Sequence, residues 1–211
     1  MEYSIFKSNH RILFMKLSGR MFQVVSGFTF LLLLNTELAA RDIADVSLEE
    51  QISVEGVEKS LLLNGAGIRY KLFFKIYVGA LYLPAKQSKA DEILKTSHAN
   101  RVVMHFLYDE VEKEKLVNAW LEGFEENVEE KVYKSLKDRL DQFNLMFPNL
   151  HKGDVVLLDY IPGQGTRVTI KGVNKGIIKG ADFNRALLSV WLGEEPVTEE
   201  LKDAMLGIDE E

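Results

Sequence analysis

Residues 61–84, LLLNGAGIRYKLFFKIYVGALYLP, contain no acidic residue and a single arginine, Arg69, set directly behind a Gly-Ala-Gly-Ile segment. From residue 68 to residue 83 the stretch is rich in β-branched and aromatic side chains, the composition of strand rather than helix. Gly65 and Gly67 predict a bend or bulge inside it, and Pro84 closes it. On one straight strand Arg69, Lys71, Phe73, Lys75 and Tyr77 share a face by alternation, while Ile68, Leu72, Phe74, Ile76 and Val78 form a more apolar face. Two environments fit the arginine. In one, its face is solvated and the cations lie in water. In the other, Arg69 lies beneath helices, where an unpaired guanidinium is too costly to bury and requires a carboxylate from the protein or from a ligand.

The flanking sequence supplies the helices. Residues 42–51 read as a polar lead-in, and 52–57 and 60–64 as short strands. Residues 88–96 predict a short helix with Ser88 as its cap, and residues 101–108 a strand. Between residues 111 and 147, Leu116, Trp120, Phe124, Val128, Val132, Leu136, Leu140 and Phe143 recur at helical spacing. That pattern predicts an amphipathic helical stretch broken near Gly123 or Asn127 and ended by Pro148. Strands follow at 154–160, 167–171 and 173–178, with a turn at Pro162-Gly163-Gln164-Gly165. Helices follow at 182–192 and 198–206, the last capped by Thr198 with Leu201 and Met205 facing inward. Strands, helices, strands, helices is the order of one α+β domain, with an antiparallel sheet carrying helices on one face.

Charge and composition narrow the function. The 211-residue chain has a net charge of −6, which argues against nucleic-acid binding, since that needs a basic face. It has no cysteine, so disulfides, thiolate nucleophiles and cysteine-ligated metals are excluded. The four histidines, His10, His98, His105 and His151, share no metal-ligand spacing; no metal and no cofactor is expected. Gly65-Ala66-Gly67 lacks the third glycine and following helix of a dinucleotide fingerprint, and no GxSxG elbow occurs. Glu125, Glu126, Glu129 and Glu130 read as a solvated helix face, and Trp120 and Trp191 as core.

The N-terminus has the order of a secretory signal peptide. Lys7, Arg11, Lys16 and Arg20 precede an apolar run at residues 21–34, and small residues follow at 39–40. The run is shorter than the roughly 20 residues of a membrane span. A signal peptide at 1–40 leaves a mature domain at 41–211 with no stable membrane span. Removing four basic and two acidic residues takes the net charge from −6 to −8. A cysteine-free exported chain fits a bacterial periplasm or secretion.

Two blocks bring in a family. NGAGIR at 64–69, followed by FFKIYVGALYL at 73–83, resembles the chalcone isomerase-like family, and FNRALLSVWLGEEPV at 183–197 resembles that family's last helices. The likeness brackets residues 52–207 and is nearest to bacterial exported members. It implies an open-faced β-sandwich, a large antiparallel sheet with a helical layer. The family holds isomerases that close a chalcone to a flavanone and also non-catalytic fatty-acid binders. By this resemblance Arg69 matches the arginine that polarises the substrate in the enzymes. Tyr77 stands where the enzymes have threonine and the binders have tyrosine; in the binders, arginine and tyrosine hold a carboxylate. The enzymes' tyrosine and asparagine belong to the segment read here as residues 112–119, where no tyrosine aligns and Asn118 fits only with a one-residue shift. The enzymes' final-helix hydroxyl falls on Val190. The resemblance therefore implies a non-catalytic binder of an apolar carboxylate such as a fatty acid, held by Arg69 and Tyr77. An isomerase or lyase acting on a phenolic or enone substrate, and a structural or partner-binding envelope protein, are the alternatives. On one straight strand Arg69 and Tyr77 stand about 26 Å apart, at ~3.3 Å per residue. Sharing a carboxylate thus requires the chain to turn near residues 71–74.

Overall fold

The computed structural model describes residues 40–208. In chain order the elements are β1 Ala40–Ile43, β2 Val46–Glu49, β3 Gln51–Ile52, β4 Leu61–Lys71, β5 Phe74–Leu83, α1 Ala90–Lys95, β6 Asn100–Phe106, β7 Glu110–Val111, α2 Lys113–Asn127, α3 Glu130–Leu145, β8 Leu150–His151, β9 Val155–Ile161, β10 Gly165–Ile170, β11 Val173–Ile178, α4 Ala181–Leu192 and α5 Glu199–Met205. The main sheet has seven strands in the order β11-β10-β9-β6-β5-β4-β3, with every neighbouring pair antiparallel. Helices pack on one face around an aromatic-rich core that includes Trp120, Phe124, Phe143, Phe183 and Trp191. The α+β reading with an antiparallel sheet under helices is the observed architecture. The leader at 1–39 lies outside the described residues.

The opposite face is partly covered as well. Residues 42–51, expected as a polar lead-in, contain most of the β1–β2 hairpin instead. Val46 and Leu48 of β2 pack with Val54, Leu61, Leu63, Val78 and Ala80 in a second, smaller apolar cluster. The strand expected at 52–57 shrinks to β3, and the next residues turn. The helix expected at 88–96 is α1, but Lys89 rather than Ser88 is its N-cap, without a side-chain hydrogen bond. The long amphipathic stretch breaks after Asn127. That side chain donates to Gly123 O at 3.0 Å and to Glu195 O at 2.7 Å, and accepts from Glu195 N at 2.9 Å. One amide thus serves the end of α2 and pins the turn after α4. Thr198 caps α5 as expected, its hydroxyl accepting from Leu201 N at 3.3 Å.

The largest departure from the sequence reading concerns residues 68–83. They are not one strand but the end of β4, a two-residue loop at Leu72-Phe73, and β5, with Lys71 paired to Phe74. Two bulges decide where the side chains of this hairpin go. Leu61 and Leu63 point to the face away from the helices, so strict alternation sends Arg69 there too. The register shifts between Leu63 and Gly65, leaving Asn64 as an extra residue. Gly65, Gly67 and Arg69 then face the helices, and Ala66 and Ile68 take over the other side.

Asn64 and the two glycines also seat α5. Asn64 Nδ2 donates to Met205 O at 2.8 Å and to Gln87 O at 3.0 Å, while its Oδ1 accepts from Gln87 N at 2.7 Å. A Cβ on Gly65 would lie 2.0 Å from Ala204 O and 2.7 Å from Gly207 N; one on Gly67 would lie 2.5 Å from the Ala204 Cβ. The helix rests on bare backbone. Gly65→Ala meets rigid main chain rather than a movable side chain, so it is expected to cost roughly 3 kcal/mol, the upper end for overpacking, as read by urea unfolding. A loss under about 0.5 kcal/mol, the scale of an indifferent surface change, would show that α5 is not seated on this glycine.

Candidate ligand-binding site

Between the sheet and the helices lies a cavity of about 340 Å³, at the lower end of the ~300–1,000 Å³ typical of small-molecule sites. Its floor is buried and apolar, with Met104 and Phe106 from β6, Leu116 and Trp120 from α2 and Val190 from α4. Its mouth is formed by exposed residues: Lys71, Leu72 and Phe74 of the β4–β5 hairpin, Tyr108, Glu110 and Lys115. Arg69 and Tyr77 line it between floor and mouth.

The two residues that sequence reasoning singled out are cross-strand partners, Arg69 on β4 opposite Tyr77 on β5. Directly opposed residues have Cβ atoms ~4.5–5.5 Å apart, within reach of one carboxylate. The hairpin thus removes the separation that a straight strand imposes. A second bulge follows at once: Tyr70 pairs with Lys75, leaving Ile76 extra. Ile76 O accepts from Leu107 N at 2.8 Å and Tyr108 N at 3.2 Å, which ties the mouth to β5. The bulge brings Ile76 onto the helix-side core and Phe74 into the cavity wall, which corrects the expectation that Phe73 and Lys75 share the face of Arg69.

Electrostatics distinguish Arg69 from the arginines that hold the fold together. Arg101 and Arg167 clamp the buried Asp159, and Arg139 binds Asp182. Among the described residues no carboxylate forms an ion pair with Arg69, which is half-buried at the cavity wall. Tyr77 is 4% exposed, and its oxygen accepts a hydrogen bond from Trp191 Nε1 at 2.9 Å. Burial pushes its pKa above the ordinary phenol value, against opposing pulls from the Arg69 charge and the Trp191 hydrogen bond. Tyr77 therefore stays a neutral O–H at physiological pH. With Trp191 donating to its oxygen, the phenol proton remains available to donate. A guanidinium and a phenol on adjacent strands form a two-donor clamp for a carboxylate.

Several contributors were not legible beforehand. Trp191, read only as core, is also the positioning partner of Tyr77; its signal is an indole with a polar edge, which needs an acceptor when buried. Glu110 is held by Asn149 Nδ2 at 2.7 Å, and Asn149 Oδ1 accepts from Lys113 N at 3.0 Å, closing the start of α2. Trp120 Nε1 is buried in the cavity wall with no acceptor among the described residues. Of the positions set against isomerase polar groups, Glu112 and Asn118 are exposed and do not line the cavity, while the apolar Val190 does. His105 lies on the opposite sheet face, where burial lowers its pKa. No group of three potential metal ligands occurs among the described residues.

No curated protein matches the sequence. The crystal structure of the Arabidopsis thaliana fatty-acid binding protein superposes with a TM-score of 0.60 at 17% identity, covering 80% of this chain and 96% of the plant chain. At that identity the likeness is one of fold. The chalcone isomerase-like family model matches residues 40–207, the whole sheet and all five helices, and the chain belongs to the chalcone isomerase-like family.

Proposed function

We propose that this chain is an exported, non-catalytic binding protein for an apolar monocarboxylate, a fatty acid in chemical class. The observation that carries the reading is Arg69: a half-buried guanidinium in an apolar cavity, without a carboxylate partner among the described residues, opposite a phenol whose proton is free to donate. The carboxylate sits between Arg69 and Tyr77, and the acyl chain runs over Met104, Phe106, Leu116 and Trp120. The plant protein of the same fold is a fatty-acid binding protein, which supports the ligand class. Isomerase chemistry is disfavoured by the apolar Val190 where the family's enzymes place a hydroxyl, and by Asn118 lying outside the cavity lining. Export rests on the basic, apolar and small-residue order of the first 40 residues.

Titration of the purified protein with dodecanoate and hexadecanoate tests the binding. Arg69→Ala is expected to weaken it by about 2 kcal/mol, some thirtyfold, the value of a hydrogen bond to a charged group. Tyr77→Phe is expected to weaken it about fivefold. Unchanged titrations in Arg69→Ala, together with no acid recovered by lipid extraction and native mass spectrometry, would rule the reading out.

The pH profile follows from the same groups. A guanidinium is not deprotonated in proteins, and burial raises the Tyr77 pKa above the ordinary phenol value, so the phenol stays neutral. Within the clamp, the titrating group is then the ligand carboxylate. Affinity is expected to be level from about pH 6 to about pH 9 and to fall as acid protonates the carboxylate near its ordinary range of roughly 4–5. A midpoint near neutrality would mean that a protein group outside this clamp controls binding.

A further inference from the structure

We infer that the β4–β5 hairpin tip docks on an anionic lipid surface, holding the cavity mouth against the membrane. Leu72 and Phe73 are 83% and 81% exposed, and Phe74, Tyr70 and Tyr108 are exposed beside them. Phe74 meets Phe73 in a tilted contact with ring centres 5.1 Å apart and Tyr108 edge-on at 5.6 Å, so the tip is one aromatic cluster rather than scattered side chains. Leu72 holds this place at φ 57°, in the loop position where two-residue hairpins of this kind prefer glycine. Glycine costs nothing there, and leucine is strained as well as exposed. Its side chain is accounted for by a contact outside the described fold.

Charge selects the partner. Lys71 and Lys75 flank the apolar pair, and residues 61–84 contain no acid in a chain of net charge −6. A second copy docking tip to tip would set these lysines against themselves. An anionic bilayer accepts both the lysines and the apolar tip, with Tyr70 and Tyr108 at interfacial depth. Lys71, Leu72, Phe74 and Tyr108 also line the cavity mouth. A docked tip therefore opens the cavity toward the acyl phase. That last step rests on the fatty-acid reading above; the docking itself does not.

The chain has no cysteine, so Phe73→Cys in the full-length protein takes an environment-sensitive fluorophore at one place. Gln164→Cys, in the β9–β10 turn at the other end of the sheet, is the control. With vesicles of phosphatidylcholine and phosphatidylglycerol in equal parts, the label at 73 is expected to shift to the blue and the label at 164 to stay in water. Lys71→Gln with Lys75→Gln is expected to lower partitioning about fivefold per lysine, and Leu72→Asp to abolish the shift. Three outcomes overturn the docking: no shift at 73, equal shifts at both sites (capture by the apolar leader alone), or a shift at 73 that follows protein concentration without lipid (a second copy on the tip). If dodecanoate binds while the tip stays in water, docking fails and the binding reading stands. If the tip inserts but no acid binds, the reverse holds.

Discussion

The extra residue at Asn64 governs the architecture around the cavity. A single insertion into β4 flips the side-chain alternation for the rest of that strand, because the pleat has a period of two. Upstream, leucines fill the face away from the helices; downstream, glycines and then Arg69 turn toward them. The same asparagine spends its amide on Met205 O and on both backbone groups of Gln87, so the bulge is anchored to α5 and to the segment before α1. An unpaired bulge backbone is a weakness in a sheet; here the amide and the close helix turn it into a fixed point. Gly65 and Gly67 complete the arrangement, since any side chain there holds α5 off the strand.

From that fixed point the electrostatics of the site follow in order. Arg69 comes to the helix side because of the bulge, and opposite Tyr77 because the chain reverses at Leu72-Phe73. Tyr77 is buried by α4, whose Trp191 donates to its oxygen. Burial alone makes the phenol a poor acid, and the indole fixes which way its proton can point. The cation is spared a partner of its own, unlike Arg101, Arg139 and Arg167, whose carboxylates belong to the fold. Those three arginines are paired within the protein; the one in the cavity has no carboxylate partner among the described residues.

Much of the fold could be read from the sequence because the signals were periodic. The helical spacing of Leu116, Trp120, Phe124, Leu136, Leu140 and Phe143 placed α2 and α3, and Asn127 marked the break within a residue or two. Thr198 announced its cap. The hairpin at Leu72-Phe73 could not be read, for a physical reason: turn prediction relies on glycine, proline, asparagine and aspartate, and this loop has none. Its leucine occupies a positive φ that composition does not advertise. The β1–β2 hairpin hid for another reason: Asp45 is a turn residue, but it stands beside Ala44 at φ 49° and 65° in a stretch whose polarity suggested a lead-in. Arg69 and Tyr77 were nameable from their motif; the geometry that unites them lay in two bulges and a loop without turn residues.

The cavity's composition also bears on why binding is favoured over catalysis. Rate acceleration requires contacts that are stronger in the transition state than in the ground state. A guanidinium and a neutral phenol on a rigid hairpin bind a resting carboxylate as well as any anion that develops later. The apolar part of the wall, from Ala119 and Val190 to Met104 and Phe106, offers no group to take or give a proton; the ionisable side chains of the lining, Lys71, Tyr108, Glu110 and Lys115, stand at the exposed mouth. What it offers is apolar area, whose burial contributes about 25 cal/mol per Å² without regard to reaction progress. A two-donor clamp at one end and undifferentiated apolar surface at the other stabilise one charge state of a long amphiphile uniformly. That is the energetic profile of retention, the profile that the proposed binding function calls for.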